Sequence, residues 1–234
     1  ALPICVLQQG SALRQRALRQ RSIGQAGFAG VLQQAVEQRC AAFTGSERLL
    51  QLTANCQSFV FEGVDQEPIP SLLRDFSAPV VLDFDYEAEQ LTVLLAHESD
   101  PFNAWEAGQR LASTLILKAA AALTAGQQPV WPESFVAAAR SLLQTQAQRG
   151  AAFVAEALTL PGESTLAEMM KQVDPDALHS ARNALRRHLA EHLEGEFSGL
   201  YAGLTVNAAY APSSEQAGRR ALRNLCLSYL LELD

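Results

Sequence analysis

The residues best suited to chemistry in this 234-residue chain are His188-Leu189-Ala190-Glu191-His192, an H-x-x-E-H run. On a helix, two histidines four positions apart share a face and can both reach one zinc ion, with the glutamate beside them as general base. A hydrolytic zinc also needs a third protein ligand and a walled cleft. The run lies among Arg186, Arg187, Glu194 and Glu196, as on a solvated helix face, and the acidic residues beyond it, Glu194, Glu196, Glu215, Glu232 and Asp234, form no second metal-binding pattern. The run therefore reads as scaffold, and no catalytic, cofactor-binding or metal-ligating residue is assigned. The sequence has no H-E-x-x-H, G-x-S-x-G, Walker loop or G-x-G-x-x-G. His97, beside Glu98 and Asp100, reads as a boundary histidine bonded to its neighbours. Trp105 and Trp131 read as core anchors, and Met169-Met170 as gap filling.

Composition narrows the classes further. With 18 basic and 25 acidic side chains the net charge is −7, which argues against a nucleic-acid partner. Apolar residues make up 48% and charged residues 18%, enough apolar content for a buried core and unlike a disordered chain. No apolar run is long enough for a membrane helix. Cys5, Cys40, Cys56 and Cys226 show no paired spacing and are expected as reduced, buried thiols in a cytoplasmic protein. The opening ALPICVLQQG has neither Met nor the charged start of a signal peptide, and reads as the edge of a piece of a longer chain. Arg14, Arg16, Arg19 and Arg21 have no interleaved aromatic residue on which bases would stack, so the stretch 10–45 reads as an irregular loop, with a helix at Val31 to Phe43 as its one regular element.

The elements that must position these residues change character near residue 98. Before it, RLLQLT, QSFVFE, SLLRDF, PVVLDFDY and QLTVLLAH read as short strands of an antiparallel sandwich; Leu82, Phe84 and Tyr86 alternate with Asp83 and Asp85. Beyond it the period is helical. Asp100-Pro101 and Asp174-Pro175 are N-caps followed by proline, opening one helix that runs to Gly126 and another carrying Leu178, Ala181, Leu185, Leu189 and Leu193. Between them lie a helix from Glu133 to about Gln148, a short one from Ala151 to Leu158, and one whose start is marked by a capping box at Thr165 and Glu168. A last helix spans Glu215 to Leu233. Short connections between such helices point to an array of antiparallel pairs.

Particular strings carry a resemblance. QSFVFEGVDQEPIPSLLRDFSAPVVLDF, LLAHESDPFNAWEAGQRLA, LPGESTLAEMMKQVDPDALHSARNALRRHLA and RRALRNLCLSYL look like the C-terminal, non-catalytic part of the bacterial aminopeptidase N family, zinc-dependent alanyl aminopeptidases. The resemblance covers about residues 46–234. It implies an immunoglobulin-like β-sandwich over 1–98, then the first part of a superhelical α domain over 99–234. It also implies a parent enzyme that holds zinc and removes N-terminal residues from peptides. The family's H-E-x-x-H, G-A-M-E-N and transition-state tyrosine have no counterpart here, so the piece is expected to be inactive alone and to hold no cofactor. Its expected partners are the catalytic domain of the parent chain and, through that domain, peptide substrates. No membrane or nucleic acid is expected, and exposed domain-interface surface would favour self-association. A free-standing interaction module and a metalloprotease built on 188–192 are the competing readings.

Overall fold

The computed structural model describes residues 36–40, 50, 57–61, 68–205 and 209–234, with only the backbone of most of the first strands. The chain forms two compact units, residues 1–87 and 88–234, so the change of character falls at Glu87/Ala88.

In the first unit, strands β1 (Val36–Cys40) and β2 (Gln57–Phe61) pair in parallel, Gln38 opposite Phe59. The expected arrangement was antiparallel. A parallel pair cannot be closed by a tight hairpin, so these two strands are not the neighbours of a meander. Val36–Cys40 also replaces the helix expected at Val31 to Phe43. SLLRDF is not a strand: Arg74–Phe76 form a 3-10 turn, and Leu73, Asp75 and Phe76 adopt left-handed backbone angles. The stretch 79–86 keeps its alternation, Leu82, Phe84 and Tyr86 half-buried against exposed Asp83 and Asp85, without a ladder among the described residues. Tyr86 donates its hydroxyl to the Pro70 carbonyl at 2.8 Å and packs on Phe84 at 4.5 Å.

The second unit is helical: α1 (Ala88–His97), α2 (Pro101–Thr124), α3 (Glu133–Gln144), α4 (Gln146–Arg149), α5 (Ala151–Ala157), α6 (Glu163–Glu168), α7 (Pro175–Gly203) and α8 (Ser214–Leu230). QLTVLLAH, expected as a strand, lies in α1. Its buried positions Leu91, Leu94 and Leu95 follow helical spacing, and Val93 faces out. Helix α2 begins as expected: Asp100 accepts from the Asn103 N–H at 2.9 Å, and Pro101 fits the first turn, where no donor is needed. Asp174 does the same for α7 through Ala177 at 3.0 Å. The helix after Glu133 breaks at Thr145, whose hydroxyl bonds back to the Ser141 carbonyl at 2.7 Å. Gly150, at φ 94, then turns the chain into α5. The capping box at Thr165 and Glu168 does not form, because α6 starts three residues earlier than that cap requires, at Glu163 after Gly162.

The core is the face that α2, α5, α7 and α8 share. Leu111, Ile116 and Ala120 of α2 and Leu178, Ala181, Leu185, Leu189, Leu193 and Phe197 of α7 are almost fully buried. Helix α1 packs on α2, α3 on α7, and α6 on the start of α7. Arginines serve as struts. Arg149 donates to the carbonyls of Leu95, Ala96 and Glu98 at the end of α1, where the last turn leaves carbonyls without helix partners. Arg182 donates to Pro161 and Leu160, and Arg186 to Ser228, with a 3.1 Å ion pair to Glu232.

Tyr229 pins α8: its ring stacks on Phe197 at 4.7 Å and its buried hydroxyl donates to the Leu158 carbonyl at 2.7 Å. Burial holds the phenol well above its ordinary range, with Arg186 and Arg182 pulling the other way. The unfolded phenol ionises near pH 10, so this contribution is complete below about pH 10 and declines as pH rises further. Tyr229→Phe is expected to cost about 1–2 kcal/mol at neutral pH, by urea denaturation, because the Leu158 carbonyl loses its donor. The same variant is expected to flatten the alkaline fall in stability.

Two close approaches depend on glycine. A Cβ at Gly218 of α8 would lie 2.9 Å from the Ala152 backbone nitrogen, whereas at Gly199 of α7 it would meet nothing within 4 Å. Gly218→Ala is expected to destabilise by about 1–3 kcal/mol through overpacking, despite a helix-propensity gain of about 1 kcal/mol. Gly199→Ala is expected to show only the gain, and urea midpoints of the two variants measure the contrast.

Candidate functional site

The H-x-x-E-H run lies in the middle of α7, where the apolar ridge fixes its orientation. Leu185, Leu189, Ala190 and Leu193 are buried, so 188, 191 and 192 fall on the flank of the helix away from that ridge. There His188 is half-buried, and Glu191 and His192 are exposed. Trp131, just before α3, approaches from the neighbouring element, its ring centroid 6.1 Å from that of His188. The His188 and His192 rings are 4.1 Å apart and inclined at 44°.

Hydrogen bonds fix part of this arrangement. His192 Nδ1 lies 2.8 Å from the His188 carbonyl oxygen. A carbonyl only accepts, so Nδ1 carries a proton and Nε2 is the nitrogen left outside this bond. Burial, then the neighbouring His192, pushes the His188 pKa below the usual histidine value, against a weaker upward pull from Glu191.

The general-base reading of Glu191 does not fit this geometry. Its carboxylate is engaged by Arg187 Nε at 2.9 Å, one turn back. Among the described residues no three His, Cys, Asp or Glu side chains gather as a metal site. The described residues therefore do not fit a catalytic zinc, which needs three protein ligands and an open position.

Just beyond the run, the helix departs from regular geometry at Leu193, with φ −124 and ψ 18. Arg140 of α3 spans this kink: Nη2 donates to the His192 carbonyl at 2.8 Å and Nε to Glu196 Oε1 at 2.6 Å. A side chain inserted at the ladder is one recognised cause of a kink. The sequence reading missed Trp131 and Arg140 as parts of this site. Both are placed by tertiary packing between α3 and α7, for which a single sequence carries no signal.

The other candidates resolve as capping or packing groups. His97 is exposed, while the neighbouring carboxylates serve the turn into α2: Glu98 Oε1 accepts from the Asp100 N–H at 2.7 Å and from Ser99 Oγ at 3.4 Å. Trp105 and Trp131 are half-buried, not core anchors, and Met169 is 58% exposed, not a gap filler. Large aromatics at helix flanks commonly keep one edge in water. Cys226 is a fully buried free thiol, its pKa pushed up to about 11 by burial, hence unreactive. The side chains of Cys5, Cys40 and Cys56 and the arginine cluster 14–21 lie outside the described residues. A hollow of about 610 Å³ lies within the helical unit; its polar lining, Gln146, Ser214, Glu215 and Arg219, contains no imidazole or thiol. No described helix is long and apolar enough to cross a membrane.

A β-paired segment followed by a helical array of packed pairs defines a mixed protein, β first and then α. The chain belongs to the DUF3458 family: residues 88–234 match the family model described as a domain of unknown function (DUF3458_C) with ARM repeats, and residues 28–85 match its companion, described as DUF3458 with an Ig-like fold. It is similar to aminopeptidase N of Caulobacter vibrioides, 40% identical over 171 residues, or 73% of this chain and 19% of the relative. Against aminopeptidase N of Escherichia coli K12 the figures are 36% over 182 residues, 78% of this chain and 21% of the relative. The crystal structure of Legionella pneumophila aminopeptidase A in complex with aspartic acid matches with a TM-score of 0.68 at 30% identity, covering 81% of this chain and 22% of that one. The chain thus spans about a fifth of the length of the curated relatives it matches, and is similar to a C-terminal part of aminopeptidase N.

Arg140→Ala removes both bonds that span the α7 kink. It is expected to destabilise the chain by about 1–2 kcal/mol, less than for a buried pair because Arg140 is 39% exposed. Glu196→Gln is expected to cost under about half as much, since the bond to the His192 carbonyl survives. Urea denaturation of the two variants tests the order.

Proposed function

We propose that this chain is the non-catalytic C-terminal segment of a zinc-dependent aminopeptidase N, supplying an immunoglobulin-like spacer sandwich and part of a helical wall around the active-site chamber of its parent. The reading rests on one observation: the chain aligns with aminopeptidases over about a fifth of their length yet carries no H-E-x-x-H of its own. Zinc, the water it activates when bound, and the groups that hold the substrate amine belong in this reading to the rest of the parent chain. What the present residues do is mechanical: α2 and α7 form a packed double layer, Arg182 and Arg186 tie the 160–161 segment and the end of α8 to α7, and Arg149 holds the end of α1. The parent works in the cytoplasm on peptides, and its catalytic domain is the partner that covers the apolar surface left by this piece.

The purified 234-residue chain, assayed on alanyl-p-nitroanilide with added zinc chloride, is expected to show no turnover above buffer. Turnover that disappears in His188→Ala would overturn the reading in favour of a metalloprotease built on 188–192.

A further inference from the structure

The imidazole pair of α7 has a geometry that scaffold duty does not require. His188 and His192 stand one turn apart with ring centroids separated by 4.1 Å, close enough for one nitrogen of each to reach a common ion at the usual metal–nitrogen distance of about 2.0–2.1 Å. His192 is already arranged as ligating histidines are. Its Nδ1–H is tied to a backbone carbonyl at 2.8 Å, leaving Nε2 outside that bond. His188 is backed by the Trp131 ring at 6.1 Å, which limits its swing. His192 is exposed and His188 half-buried, so an ion can approach from solvent. Arg187, next to His188 in the chain, is held by Glu191, and Arg140 is engaged with the His192 carbonyl and Glu196.

We propose that His188 and His192 form a two-imidazole chelate on the outer face of α7 for a borderline divalent transition-metal ion, of the class typified by Zn²⁺ and Cu²⁺. Two imidazole nitrogen donors favour these ions over Mg²⁺ and Ca²⁺, which take oxygen ligands. Water completes the coordination. With two protein ligands, and with Glu191 committed to Arg187, the site is exchangeable and has no base placed for hydrolysis. It differs in this from the catalytic zinc site that these residues do not fit, and it is independent of the proposed scaffold role. A bound ion would bridge the turn just before the Leu193 kink, stiffening the segment that Arg140 already spans.

The chain has four histidines, His97, His179, His188 and His192, so imidazole NMR resolves the site directly. Zinc chloride titrated into the reduced 234-residue chain is expected to shift the ring signals of His188 and His192 together and saturably, with His97 and His179 unmoved and magnesium chloride without effect. Either His188→Gln or His192→Gln is expected to weaken the response roughly tenfold or more. His192 is exposed, so its variant is expected to stay folded, with an unchanged circular dichroism spectrum, even if that of His188 loosens against Trp131. Shifts spread equally over all four rings, no saturable shift at 188 and 192, or equal affinity in folded His192→Gln would overturn the proposal. The peptidase reading is judged separately, by the absence of turnover.

Discussion

The rest of the helical unit depends on the apolar ridge of α7. Leu178, Ala181, Leu185, Leu189, Leu193 and Phe197 recur at three- and four-residue intervals and are almost wholly removed from water. Each buried leucine contributes about 1.5–3 kcal/mol on the transfer scale, and the ridge meets α2, α3, α6 and α8 at once. With that face committed to the core, the rotation of α7 about its axis is fixed, and so is the outward position of the H-x-x-E-H run. The run is held rigidly because of what lies behind it. The arrangement of its side chains, with Glu191 on Arg187 and His192 on the His188 carbonyl, follows from local one-turn spacing on a surface that the ridge leaves free.

Much of this was legible in the sequence, and the reasons are physical. The cap-and-proline pairs at Asp100-Pro101 and Asp174-Pro175 are local signals that need no tertiary partner, and both mark true helix starts. The ridge of α7 was legible because its spacing persists over several turns. The alternation at 82–86 survives as alternating burial. QLTVLLAH was misread because its apolar residues run nearly unbroken, and a short apolar run does not distinguish strand from helix. Only the exposure of Val93 between buried Leu91, Leu94 and Leu95 makes the helical period plain. The break at Thr145 and the early start of α6 depend on a single hydroxyl and on Gly162, and propensity over a longer window does not resolve such details. The approach of Trp131 and Arg140 to α7 is long-range packing between α3 and its neighbour, which left no mark on either segment alone.

The same division explains why the family resemblance carries more than the motifs do. The matched string DPFNAWEAGQ serves architecture: Asp100 and Pro101 begin α2, and Gly108 lets α1 approach, a Cβ there meeting Leu95 at 2.8 Å. The H-x-x-E-H run, which looks like chemistry, lies on a surface whose glutamate is already paired. A five-residue motif is short enough to arise on any charged helix, whereas capping and close-packing residues are constrained by every neighbour they touch.

Amide hydrogen exchange across α7 bears most directly on the claim that the 188–192 run is the outer face of a packed scaffold helix. The amides of Leu185, Leu189, Ala190 and Leu193 are expected to exchange only through global unfolding, with protection equal to that of Leu111 to Ala120 in α2. Exchange at 188–193 by local opening, at rates like those of the turn at 125–132, would contradict it.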